Sequence, residues 1–93
     1  MSERDAFYDK LKITLDETTE FPSKYLYKFI IPNKEKNLSR IQDIFNLGGA
    51  VIDTKTSKTG KFMSYSVLVE MPNSDLIIEK YKEADQIEGI ISL

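Results

Sequence analysis

Residues 50–71 read AVIDTKTSKTGKFMSYSVLVEM, and the pattern in this stretch decides the fold. From Phe62 to Met71 the side chains alternate. Met63, Tyr65, Val67 and Val69 fall on one side, and Phe62, Ser64, Ser66, Leu68 and Glu70 on the other. A period of two is the signature of a strand with one buried face. Ala50 to Thr56 is a second, shorter strand. Between them Ser57-Lys58-Thr59-Gly60-Lys61 is polar and carries a glycine, the chemistry of a hairpin connection. The centre of the chain is therefore an antiparallel pair.

Working outward, the preceding segment carries Leu38, Ile41, Ile44 and Phe45 at three- and four-residue steps, which predicts an amphipathic helix. Asn33 is its expected N-cap, and Gly48-Gly49 its expected stop. Before it, Tyr25 to Ile31 is an aromatic and β-branched strand halted by Pro32. Beyond Pro72, Asn73 or Ser74 caps a second helix with Ile77, Ile78, Tyr81 and Ala84 as its inward stripe. Gly89 closes that connection, and Ile90 to Leu93 forms a last short strand. The N-terminal stretch 3–15 places Phe7, Tyr8, Leu11 and Leu15 at helical spacing. The organisation expected is a short helix or arm over 1–19 followed by one domain over 20–93.

The order β-α-β-β-α-β, built from two right-handed crossovers around a hairpin, gives an α+β ferredoxin-like split sandwich. Its antiparallel sheet is expected in strand order 4-1-3-2. Both helices then lie on one face, and the other face is left open.

Composition narrows the chemistry. The 93 residues include no histidine and no cysteine, which removes Cys/His zinc sites, disulfides, thiol nucleophiles and imidazole bases. No metal or cofactor is expected. No spacing matches a Walker loop or a dinucleotide fingerprint. The loop after the first strand, Ile31-Pro32-Asn33-Lys34, lacks the glycine and arginine that the phosphate cradle of acylphosphatases on this fold requires. The chain is therefore not expected to be an enzyme. No apolar run has signal-peptide or membrane-spanning length, so a cytoplasmic location without membrane association is expected.

Four segments together resemble the YbeD-like family of small bacterial proteins. They are Glu20-Phe21-Pro22, then Tyr27-Lys28, then Lys55 with the string Ser57-x-x-Gly60-x-Phe62-x-Ser64-x-Ser66, and the helix-plus-strand tail. The resemblance covers about residues 15–93 and implies a βαββαβ fold with no established activity. Such proteins are often labelled lipoate regulatory proteins because their genes can sit beside those for lipoate attachment. This chain has Phe62 where the family more often has tyrosine, and its first dozen residues extend beyond the shorter members. The architecture is also similar to regulatory ACT-type domains, an analogy of fold alone. Glu20, Phe21 and Pro22 are read as structural. Proline fixes the approach to the first strand, and Phe21 packs over the sheet end.

The open face is the expected working surface. Alternation puts Leu26, Lys28 and Ile30 there from the first strand, and Val51, Asp53, Lys55 and Ser57 from the second. Lys28 and Lys55 then flank Ser64 and Ser66. Two ammonium groups around hydroxyls suit a carboxylate or phosphate; a small acyl, lipoate-related ligand is what the family resemblance adds. The same face also presents Leu26, Ile30, Val51 and Leu68, as a protein-binding or homodimer surface would. A merely solvated face is the third reading.

Charge is segregated: residues 1–23 sum to −3, residues 24–61 to +5 and residues 62–93 to −4, within a net charge of −2. Lys55, Lys58 and Lys61 around the hairpin serve either an anionic partner or protection of an edge strand. Nucleic acid is not the expected partner. RNA-recognition sheets stack bases on aromatics two apart on one face, whereas Phe62 and Tyr65 fall on opposite faces.

Overall fold

The computed structural model describes residues 3–46 and 48–93. In chain order the elements are α1 (Glu3–Thr18), β1 (Ser23–Pro32), α2 (Glu35–Ile44), β2 (Val51–Thr56), β3 (Phe62–Met71), α3 (Ser74–Ala84) and β4 (Ile91–Ser92). The four strands form one antiparallel sheet, ordered β2-β3-β1-β4. Counted from the other edge this is the expected 4-1-3-2, and the fold is the α+β ferredoxin-like sandwich with an added N-terminal helix.

Sidedness follows the alternation read from the sequence. Tyr27, Phe29 and Ile31 on β1 and Tyr65, Val67 and Val69 on β3 are buried against the helices. Ile41 and Phe45 close over them from the α2 side, and Ile77, Tyr81 and Ala84 from α3. Aromatic rings concentrate at Tyr27, which lies 4.7 Å from both Phe45 and Tyr81 between ring centroids and 4.8 Å from Tyr25. Such tilted and edge-on contacts add to the area buried. The Tyr27 hydroxyl, deep among these rings, donates to the Ile77 carbonyl at 2.9 Å. Burial holds the Tyr27 and Tyr81 phenols well above the ordinary tyrosine value.

Several local expectations need correction. Asn33 does not cap α2. The N-cap is Lys34, which has no side-chain capping bond. Asn33 instead donates through Nδ2 to the Gly60 carbonyl at 2.9 Å, and its main-chain N–H donates to the Lys61 carbonyl. It ties the end of β1 to the hairpin. Leu38 lies on the outer side of α2 and is exposed. The inward row is Asn37, Ile41 and Phe45, at four-residue steps. Asn37 is tolerated there because its Nδ2 donates to the Pro32 carbonyl at 2.8 Å, giving the buried amide a partner. Helix α2 ends at Ile44, before the glycines; Gly48 and Gly49, both with φ near +75°, turn the connection towards β2. Asn73 does cap α3, its Oδ1 accepting from the Leu76 N–H at 2.8 Å.

Helix α1 is longer than expected and packs on α3. Tyr8 and Leu15 enter the core, Leu11 packs against it, and Phe7 faces outward. Polar bonds pin α1 at both ends. Near its start, Arg4 pairs with Asp85, and the Tyr8 hydroxyl donates to the same carboxylate. Near its end, Lys12 reaches Asp16 at 3.0 Å and Asp75 at 3.2 Å, while Ser74 donates to Asp16. The helical layer stops short of β2. Thr54 is on the helix side of the sheet by register, opposite Tyr65, yet remains exposed.

Candidate functional site

The sheet face opposite the helices is uncovered, and the strand register sorts its side chains into cross-strand rows. Val51, Leu68 and Leu26 form one row, since Leu68 pairs with Val51 on β2 and with Leu26 on β1. The next row is Asp53, Ser66 and Lys28. The third is Lys55, Ser64, Ile30 and Ile91. Leu93 extends the second row, because its N–H donates to the Lys28 carbonyl at 2.9 Å. The register is pinned by the buried alternation behind it, since a one-residue slip would turn the core outward.

The first row is apolar and open to solvent: Val51 is 56% exposed, Leu26 49% and Leu68 37%. Ile91, Leu93 and Phe62 add further exposed apolar area on or beside this face. Scattered exposed apolar residues are ordinary, but three aligned across adjacent strands about 4.8 Å apart make a continuous strip.

The polar residues come together partly as expected. Lys28 lies beside Ser66 and Lys55 beside Ser64, so the two lysines stand on opposite sides of the serine pair. They occupy successive rows rather than one, and Asp53 completes the row of Lys28. A carboxylate thus sits on the same face, two positions from Lys55 along β2. The ion pairs among the described residues (Arg4–Asp85, Lys12 with Asp16 and Asp75, Lys80–Glu83) all involve the helical side. Lys28, Asp53 and Lys55 take part in none of these pairs.

Ser57 has a structural task. Its Oγ accepts from the Phe62 N–H at 3.1 Å, and its own N–H donates to the Phe62 carbonyl at 2.9 Å, closing the hairpin. Gly60 follows in that turn at φ +75°, a conformation side chains with a Cβ rarely adopt. Phe21 packs against the core beside a cis peptide bond to Pro22, and Glu20 next to it is exposed. Phe62, read as a family position, is on the open face and 43% exposed.

Concave surface lies elsewhere. A cavity of about 260 Å³ borders the apolar row where Val51 and Leu68 meet Gly48, Gly49, Lys24 and Glu70. Another lies between Arg4, Tyr8, Tyr81 and the C-terminal Ser92 and Leu93. Neither includes Lys28, Lys55, Ser64 or Ser66. Among the described residues no acidic cluster could hold a metal ion, and no helix is long and apolar enough to cross a membrane.

Sequence reasoning placed Asp53 on this face but gave it no partner. Its position opposite Lys28 across Ser66 follows once strand order and register are combined. Ile91 and Leu93 were missed as face residues; the antiparallel pairing of β4 with β1 was the signal that would have placed them.

A comparison with curated proteins and with solved structures found no match. Residues 16–93 match the family described as "Protein of unknown function (DUF493)". The match begins near the end of α1, so most of that helix lies outside it. The chain belongs to the DUF493 family, the family of the YbeD-like proteins it resembles, and that family has no assigned function.

Proposed function

We propose that this chain is a non-catalytic binding module whose uncovered sheet face docks a folded protein surface. The observation that carries the reading is the exposed strip Val51–Leu68–Leu26, set beside Lys28, Asp53 and Lys55, which have no ion-pair partner among the described residues. A partner covering this strip gains apolar burial at about 25 cal/mol per Å². The lysines and Asp53 then select its charge pattern. Two features favour a protein over a small anionic or acyl ligand. Neither of the two cavities described above is lined by Lys28, Lys55, Ser64 or Ser66, and Asp53 opposes an anion held near Lys28 and Lys55.

The test is a photo-crosslinking side chain placed at Ser66, in an extract of the cells that make the protein. One discrete protein adduct is expected from Ser66, lost in a Leu68→Asp background, with none from exposed Glu79 on the helical side. Equal adducts from both positions, or none from Ser66, would overturn the reading.

A further inference from the structure

We infer that the occupant of the open face is a second copy of this chain, stacked face to face about a two-fold axis running parallel to β3. The inference rests on the reading of that face as a docking surface and adds the identity and geometry of the partner.

The rows are complementary to themselves under this operation and not under the obvious alternatives. Rotation about an axis above β3 exchanges the β1 and β2 positions and leaves each row facing its own counterpart. Lys28 of one copy then faces Asp53 of the other, and Asp53 faces Lys28, with Ser66 meeting Ser66 between them. In the neighbouring row Leu26 faces Val51, Val51 faces Leu26, and Leu68 meets Leu68. Lys55 lies over Ile30 of the second copy, its aliphatic stem on the apolar side chain and its ammonium at the rim. A long lysine opposite a short aspartate, and small serines at the centre, suit sheets packed about 10 Å apart.

Turning the two-fold axis across the strands, through the Ser66 row, sets Lys28 over Lys28 and Asp53 over Asp53. Like charges in a closed interface are strongly disfavoured. Sliding the axis to the β3–β1 gap sets Asp53 over Leu93, a carboxylate against an apolar side chain. The strand-parallel axis above β3 matches opposite charges and joins the apolar strips. Aligned sheets cross at about 30°, which inclines the axis to β3 by about half that angle within the sheet plane, so the rows near the crossing point stay in contact while the ends diverge. Glu70, near one end of β3 and paired across the sheet with Lys24, is carried away from its symmetry mate.

The area sets the strength expected. Only three strands of each copy face one another about this axis, β4 lying beyond the partner's sheet edge; about 4.8 Å apart and roughly 20 Å long, they give a projected area of about 300 Å² per copy. That is below the ~800 Å² per partner of standard interfaces. A dimer held this way depends on concentration, with dissociation in the micromolar range or weaker.

The test is sedimentation velocity from ~10 μM to ~1 mM, a range set by that expected affinity. It uses the wild type, Lys28→Asp, Asp53→Lys and an equimolar mixture of the two variants. Both positions are exposed on the sheet face, and circular dichroism checks that the variants fold. Wild type is expected to pass from monomer to dimer, and each single variant to bind itself at least about tenfold more weakly. The mixture is expected to recover the dimer, since Asp at position 28 then faces Lys at position 53, and native Asp53 faces native Lys28. Wild type that stays monomeric, singles that dimerise as wild type does, or a mixture that fails to recover would each overturn the inference.

The crosslink at Ser66 separates this failure from that of the broader reading. An adduct to a different protein, with wild type monomeric, leaves the docking face standing and removes the second copy. No Leu68-dependent adduct of either kind removes both.

Discussion

The Tyr27 hydroxyl donates to the main-chain carbonyl of Ile77 at 2.9 Å, fastening the middle of β1 to α3 from inside the ring cluster. That carbonyl belongs to a helix whose own ladder also reaches it, so losing the phenol leaves an acceptor with a remaining partner. Tyr27→Phe is therefore expected to cost about 0.5–1.5 kcal/mol, the net worth of one buried hydrogen bond. Tyr27→Ala, which also empties the cluster, is expected to cost about 3–5 kcal/mol. Denaturant unfolding of the two variants checks this. Equal losses would show that the hydroxyl, not the ring packing, governs the site.

Gly89 turns the chain from α3 into β4 at φ +78°, and a Cβ there would stand 2.9 Å from Pro32 Cγ. Both the backbone and the neighbour resist substitution. At Gly60 the φ is also positive but a Cβ would meet nothing within 4 Å. Each Gly→Ala change carries the left-handed penalty of about 1–2 kcal/mol, and Gly89→Ala adds the contact with Pro32. Urea titrations are expected to rank Gly89→Ala as the less stable variant. The opposite order would mean that β4 shifts freely away from β1.

Helix α1 should weaken in alkali. Tyr8 is held above its ordinary value first by burial and then by its bond to Asp85. A group whose pKa is raised on folding stabilises fully below its unfolded value, here about 10. That stability is lost as pH rises from there towards the folded value. Tyr27 and Tyr81 act in the same direction. Stability is expected to be flat in this respect up to about pH 9 and to fall above pH 10. Tyr8→Phe should fall less steeply. Thermal melts across that range check it, and parallel curves for wild type and Tyr8→Phe would contradict it.

Much of this structure was legible before any coordinates. The hairpin, the strand order and the faces of β1 and β3 followed from period-two alternation backed by helices whose apolar stripes fixed their inner sides. The errors came where a polar side chain had more than one possible partner. Asn33 reads as a cap because the rule is local, but the hairpin carbonyl brought to it by tertiary pairing won. Leu38 and Asn37 exchanged roles because an amide that reaches the Pro32 carbonyl is accepted inside. The Arg4–Tyr8–Asp85 contact joins residues more than seventy positions apart, and no spacing rule announces it. On the open face, residue types and sidedness were readable. The placement of Lys28 and Asp53 on either side of Ser66 needed the register.

The most direct test of the face-to-face assembly is an isotope-filtered NOE experiment on a mixture of labelled and unlabelled wild-type chains at high concentration. Methyl contacts between copies are expected from Val51 to Leu26 and from Leu68 to Leu68, the pairs brought together by the strand-parallel axis. No contact between copies is expected from Val51 to Val51, nor from the helix-side methyls of Ile41 or Ile77, which are buried within each copy. Intermolecular Val51–Val51 contacts, or an absence of intermolecular contacts at concentrations where the chain sediments as a dimer, would contradict it.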